Sequence, residues 1–343
     1  MKFELLKINL RYFTDYTNAT TSNTENVNDL SAEMKTFYSK YLIELAEPEL
    51  VHDQFGQKHP IPKNGGKTIE FRKYDSLPKA TTPLTEGVTP DGQALNVSTI
   101  TATIAQYGGF IRLTDTLLLT AIDNNLVQAT KLLASQAGRT LDTVTREVLV
   151  AGTNVQYAEG VHSSRATLVG GASSGNDYLT VKAIRMAVRS LKVMNAPKIN
   201  GDYAGIIHPD CEFDLMDDPA WQYPHQYVDT DNIYNNEIGK IAGVRFVESS
   251  EAKVWANAGV DNATSSARDV YATLIFGANA YGVTEVTGGG LQHIVKQLGS
   301  AGTSDPLDQR ATAGWKAYKV AERLIEQYMV RIETTSSFEA GAN

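Results

Sequence analysis

Residues 62–113 constrain the fold more than any other part of the chain. Two alternating segments, Lys67-Thr68-Ile69-Glu70-Phe71-Arg72 and Val97 to Gln106, read as paired strands. The 24 residues from Lys73 to Asn96 separate them. A hairpin normally closes with roughly two to five residues. This connector holds Leu77-Pro78, Thr82-Pro83-Leu84-Thr85-Glu86-Gly87 and Thr89-Pro90-Asp91-Gly92, too few large apolar residues for a core of its own. Long connectors inside ordered proteins tend to be functional or disordered. A two-stranded arm ending in such a connector gains order by lying on another molecule. That points to an assembly protein rather than an enzyme.

In the first strand Ile69 and Phe71 point one way, and Thr68, Glu70 and Arg72 the other. In the second, Ile100, Ala102 and Ile104 oppose Thr99, Thr101 and Thr103. Threonine along one face suits a half-exposed antiparallel pair. A third apolar piece, Phe110 to Leu113, continues toward the core after Gly108-Gly109.

A chain of 343 residues can bury a substantial core and usually divides into about two domains. Its net charge of −8 gives an average surface that repels nucleic acid and anionic membrane. The one cysteine, Cys211, excludes an intrachain disulfide, so the chain reads as cytosolic or assembled in a cytosol. Glu4 and Lys7 interrupt any apolar run at the start, which therefore does not read as a signal peptide. No stretch approaches the ~20 apolar residues of a membrane span.

Residues 14–29 are rich in Thr and Asn. Residues 31–47 read as a helix capped by Ser31 and ended by Pro48. The longest helical signal is 124–151, with Leu126, Thr130, Leu133, Ala137, Leu141, Val144 and Val148 at steps of three and four. Asp123 can cap it and Gly152 close it, while Asp142, Arg146 and Glu147 sit off the stripe. At ~1.5 Å per residue the rod is roughly 40 Å long.

The Gly-, Ser- and Asn-rich stretch 153–178 marks a domain boundary. Thr180 then caps a helix carrying Ile184, Val188, Leu191 and Met194. Tyr203 to Ile207, Val244 to Glu248 and Val270 to Phe276 read as strands, with a short helix near Phe213. Tyr318 to Ala321 and Tyr328 to Ile332 are strand-like, and the last of these is placed beside the long helix. Helices and strands mix irregularly, so the fold class is α+β rather than a wound parallel sheet.

Motifs for chemistry are thin. The six histidines lack the i, i+4 spacing of a zinc helix, and one cysteine cannot build a thiolate cage. Asn64-Gly65-Gly66-Lys67-Thr68 ends like a phosphate loop, but Ile61 stands where glycine is required and Lys67 opens a strand. It reads as a turn at the base of the arm. Glu212, Asp214, Asp217 and Asp218 read as a solvated helix end, and Trp221 to Tyr227 as an interface or packed turn. No catalytic residue, cofactor site or metal site emerges.

Several motifs together resemble the major capsid proteins of tailed bacteriophages. They are Lys67 to Arg72, Thr82 to Pro90, Gln106-Tyr107-Gly108 and Leu113-Thr114-Asp115. Asp305-Pro306-Leu307-Asp308-Gln309-Arg310 with Gly314-Trp315-Lys316 is similar to the subgroup typified by the coliphage N4 capsid protein. The resemblance implies the Johnson fold, also called the Hong Kong 97 type. Its parts would be an N-terminal arm over 1–50 and an extended loop over 51–113. A peripheral domain would span 114–178 with 300–343, including spine helix 124–151, and an axial domain 179–299.

The function implied is that of a non-enzymatic structural protein. It self-assembles as hexamers and pentamers into the icosahedral shell enclosing phage DNA. Inter-subunit contacts would come from Lys67, Glu70, Arg72, Leu77, Lys79, Leu84, Glu86, Val88 and Asp91 on the loop. Scaffolding, portal and decoration proteins are further candidate partners. Double-stranded DNA would be enclosed without sequence-specific binding, and no membrane is involved. The location would be the virion capsid, assembled in the host cytoplasm. Two alternatives remain at this point: a cellular shell of the same fold enclosing cargo, and a hydrolase built on Asp214, Asp217 and Asp218.

Overall fold

The computed structural model of the chain describes residues 51–62, 65–89, 91–120, 125–171, 175–222, 239–261, 266–285, 290–298, 305–339 and 341. All of them belong to one compact unit, Glu47–Asn343. The expected arm over 1–50, its helix over 31–47 and the Asp123 cap lie outside the described residues.

Strand β1 (Gln57–Lys58) is followed by β2 (Thr68–Tyr74), β3 (Val97–Thr103) and β4 (Ala105–Thr114). Helices α1 (Asp115–Thr120) and α2 (Asn125–Val150) come next, then β5 (Val155–Tyr157) and β6 (Val169–Gly170). Helix α3 (Val181–Val193), β7 (Tyr203–Ile207) and α4 (Pro209–Asp217) precede β8 (Lys240–Ile241) and β9 (Val244–Glu248). The chain continues through β10 (Val254–Asp261), β11 (Ala267–Phe276), β12 (Tyr281–Glu285) and β13 (Gln292–Lys296). It ends with β14 (Arg310–Arg323) and β15 (Met329–Thr334). The mixture is α+β.

The first sheet is organised around β14. Strand β4 runs antiparallel along one edge, and β13 and β12 share the other. Gly108 lies so close to β14 that an added Cβ would come 2.7 Å from the Trp315 carbonyl oxygen. Along β14, Ala311, Ala313, Trp315, Ala317, Lys319 and Ala321 are buried, one residue in two. The alanines leave room for α2, whose Ala129, Leu133 and Ala137 pack on this face. Trp315 closes the contact with its indole nitrogen 3.1 Å from Gln136 Oε1.

The second half of α2 departs from the expected stripe. Asp142, Thr145, Arg146 and Leu149 are buried at steps of three, one and three, whereas Leu141, Val144 and Val148 are half-buried. Asp142 and Arg146, expected off the stripe, are only 2% exposed. Asp142 is met by His52, and Arg146 by the adjacent Glu147 and by Glu251; the partners distant in sequence are what local periodicity cannot register.

The second sheet has the order β5-β15-β11-β7-β9-β8, with β10 joining β11 and β6. Its central strands are apolar on both faces because both faces are covered. Tyr203, Ile207, Tyr271, Ile275, Val330 and Ile332 pack on α3 and α4. Ala204, Ile206, Leu274, Phe276 and Met329 pack toward Leu149 and Val150 at the end of α2. The last strand, placed by the sequence beside the long helix, hydrogen-bonds to β11 and β5. It still meets α2, because Arg331 Nη1 donates to the carbonyls of Val150 and Gly152.

Thr180 caps α3 as expected, its hydroxyl accepting from Ala183 N at 3.2 Å. The stretch 153–178 is tied to the second sheet: Asp177 Oδ2 accepts from Val169 N at 2.7 Å and lies 2.8 Å from His162 Nε2. No helix among the described residues is long and apolar enough to cross a membrane.

Candidate assembly interface

Strands β2 and β3 form a separate two-stranded sheet, paired from Thr68↔Thr103 to Tyr74↔Val97. Alternation sorts their side chains. Ile69, Phe71, Ile100 and Ala102 are turned to the body and are at least half-buried, while Thr68, Glu70, Arg72 and the facing threonines are exposed. Phe71 meets the His59 ring edge-on at 5.4 Å between centroids. A groove of about 450 Å³, lined by residues that include His59, Phe71, Ile100, Asn279 and Leu324, runs along this seam. At the base of the arm, Ile104 N donates to Lys67 O at 2.9 Å. Gly66, at φ +91°, supplies the left-handed turn that lets the strand begin at Thr68.

Beyond the strands the chain leaves the body. Every described residue from Arg72 to Thr99 is exposed. Asp75 N donates to Asn96 O at 3.2 Å and closes the stem. Between Ser76 and Leu95 the backbone bonds among the described residues are local: Thr81 N to Lys79 O at 3.1 Å and Val88 N to Thr85 O at 3.2 Å. Leu77, Leu84, Val88 and Leu95 stand 54%, 77%, 63% and 64% exposed on this connector. Covering each would stabilise by roughly 1.5–3 kcal/mol. Fixing each connector residue costs about 1–2 kcal/mol of backbone entropy. Among the described residues no surface supplies the first or offsets the second.

The nine residues singled out in the sequence are all exposed. Glu70 and Arg72 sit on β2, where Arg72 Nε lies 3.2 Å from Glu70 Oε1, and Lys67 stands at its base. Leu77, Lys79, Leu84, Glu86, Val88 and Asp91 lie on the connector. Sequence reasoning missed Tyr74 and Val97, a cross-strand pair 60% and 46% exposed at the stem. Extending the alternation of β2 by two residues would have found them.

The acidic residues of α4 do not form a solvated group. Glu212 and Asp214 are buried. Asp214 accepts from Ser337 Oγ at 2.6 Å and Ser337 N at 3.1 Å. Asp218 accepts from Val181 N and Ala220 N, each at 2.8 Å. Asp214 and Asp218 thus serve as clamp and cap to different partners, and of the four only Asp217 is exposed as expected. Trp221 is buried with α3 and α4, while Tyr223 to Tyr227 lie outside the described residues. Burial pushes the Cys211 thiol far up, so it is unreactive. No group of three or more His, Cys, Asp or Glu placed to hold a metal occurs among the described residues.

The family described as phage capsid protein matches residues 97–325, from β3 through β14. The chain belongs to that family. This capsid protein is a structural component of the virion, a major capsid protein whose copies assemble into a multi-subunit shell. Its fold is similar to the capsid of cyanophage P-SCSP1u, at 14% identity and TM-score 0.67, over 96% of this chain and 100% of that one. The capsid of Ralstonia phage GP4 is similar at 14% identity and TM-score 0.65, over 94% and 100%. The cyanophage Pam1 capsid is similar at 12% identity and TM-score 0.68, over 92% and 100%. A comparison with curated proteins found no match.

Proposed function

We propose that this capsid protein has the Johnson fold of the Hong Kong 97 type and belongs to the subgroup typified by the coliphage N4 capsid protein. Hexamers and pentamers of it tile an icosahedral shell around double-stranded DNA, assembled in the host cytoplasm with scaffolding and portal proteins. The subunit performs no catalysis. Its spine is α2, its axial part is the second sheet with α3 and α4, and its extended loop is the β2–β3 arm.

The observation that carries this reading is the connector. It is exposed along its whole described length, carries four large apolar side chains and makes only local backbone bonds among the described residues. Lying across a neighbouring copy, Leu77, Leu84 and Val88 would anchor in that copy's apolar surface. Lys67, Glu70, Arg72, Lys79, Glu86 and Asp91 would form the polar rim.

The test is to delete residues 76–92 and join the ends with a short Gly-Ser turn. Asp75 and Asn96 are hydrogen-bonded neighbours, so the stem can close. The subunit should keep its circular dichroism and melting behaviour, and electron microscopy should find no stable shells. Normal shells from the deleted chain would overturn the reading.

A further inference from the structure

Helix α3 presents Lys182, Arg185, Arg189 and Lys192 at steps of three, four and three, so one flank of the helix is basic. Its opposite side, with Ala183, Ile184, Ala187, Val188 and Leu191, is buried in the core, so the cations face outward. Lys182 is paired with Glu159. Arg185, Arg189 and Lys192 are exposed and make no ion pair with any described residue. With Val193 and Ala242 they line a groove of about 500 Å³ between α3 and the turn that joins β8 to β9.

That turn adds charge of the same sign. Lys240 and Arg245 are register partners on its two sides, and both are exposed. The acid at this end, Asp202, is already bonded to Lys240, which holds its carboxyl below the usual carboxylate range. A protein of net charge −8 therefore gathers Arg185, Arg189 and Lys192 along one groove, with no ion pair to them among the described residues.

We infer that this groove binds the phosphate backbone of nucleic acid without reading its sequence. Arg185, Arg189 and Lys192 span about 10 Å along a straight helix, a row suited to successive phosphates of one strand. The lining offers cations over a shallow apolar floor. It has no array of donors and acceptors to read base edges and no aromatic platform for stacking. Local focusing lets a basic groove attract a polyanion although the chain as a whole is acidic. The inference rests on the capsid reading, because a shell subunit meets nucleic acid on its inner side. It gives the subunit a contact with the packaged genome that net charge alone argues against.

The test uses the full chain and a fluorescently labelled DNA duplex of about 30 base pairs, read by anisotropy. Wild-type protein should bind. Three phosphate contacts should weaken that binding about forty-fold between about 50 and about 200 mM salt. Arg185→Glu with Arg189→Glu and Lys192→Glu should cut affinity by more than about ten-fold, and the Gln triple variant should flatten the salt dependence.

All three residues are exposed, so the melting temperature should hold. Shell formation by both variants is followed by electron microscopy. Absence of wild-type binding, or equal binding by the variants, overturns the inference. Loss of shells by the variants without any wild-type DNA binding also overturns it, and assigns the groove to an acidic surface of a second copy. Failure of wild-type protein to form shells under any condition would count against the capsid reading itself, whatever the anisotropy shows.

Discussion

His52 Nδ1 lies 2.6 Å from Asp142 Oδ2, joining the start of the described chain to the middle of the long helix. Both side chains are sealed from solvent, and His52 N also donates to Asp142 Oδ1 at 3.0 Å. The contact belongs to a larger knot. Tyr281 donates its hydroxyl to His52 O at 2.6 Å, so β12 is tied to the same point. The next residue, Asp53, accepts from the Thr145 hydroxyl at 2.6 Å and from the ammonium of Lys319 on β14. Lys319 also donates to Leu141 O at 3.1 Å. Residues 52 and 53 thereby lock the helix to the sheet it covers.

Removing one partner of a buried hydrogen-bonded pair leaves the other partner's polar groups unsatisfied. Asp142→Ala removes both acceptors of His52, whose Nε2 already has no partner. The expected loss is about 2–4 kcal/mol of unfolding free energy. Asp142→Asn keeps the shape and one acceptor and should lose less. Urea denaturation of the isolated subunit measures both. A loss below about 0.5 kcal/mol for the alanine variant would show the knot to be ornamental.

The arm should be able to loosen without the body. Phe71 is its main anchor, set against His59 and within 3.5 Å of where a Cβ on Gly282 would lie. Phe71→Ala should raise amide hydrogen exchange across β2 and β3 while leaving β14 protected. A uniform rise across both sheets would mean that the arm is part of the global fold.

Leu84→Asp and Val88→Asp place charge on side chains that stand exposed on the connector. Subunit stability should change by less than about 0.5 kcal/mol. Shell yield should fall sharply, since each charge would be driven into a neighbour's apolar surface. Sedimentation separates free subunits from shells. Undiminished shells from both variants would remove these two positions from the interface.

Much of this architecture was legible because period and punctuation are local. The alternation of Ile69 and Phe71 set the register of the arm, and the stripe through Leu133 and Ala137 gave α2 to within a residue at each end. Thr180 announced α3. The exposed connector could be read from its proline, threonine and glycine content.

What failed was what depends on distant partners. Asp142 looked solvated because His52, which meets it, is 90 residues away; Arg146 is met by its neighbour Glu147 but is buried against the Glu251 carbonyl, 105 residues away. Glu212 and Asp214 failed for the same reason, since the residues that bury them come from β9 and the C-terminal segment. Strand β13 left no signal because all five of its residues are exposed, so no alternation marks it. On the proposed reading the residues that would receive the connector lie on another copy, and no pattern within one subunit can name them.

Glu212 makes the fold sensitive to pH in a direction opposite to most carboxylates. Burial, with the Glu248 carboxylate beside it, pushes its pKa up to about 7. One of its oxygens, Oε2, has no hydrogen-bond partner, as suits an acid held neutral. In the unfolded chain the group ionises near its ordinary value of about 4.3. Between these two values the folded state holds a proton that the unfolded state releases.

The contribution of Glu212 to stability is therefore fully present below about pH 4.3 and is lost as pH rises through about 7, after which it is flat. Glu212→Gln removes the titration while keeping the shape. At pH 8 the variant should be more stable than wild type by about 3–4 kcal/mol, and below about pH 4.3 the two should nearly coincide. Thermal melts of both proteins across that range, compared as a difference, cancel the carboxylates they share. A constant difference at every pH would place the effect in packing and not in the proton.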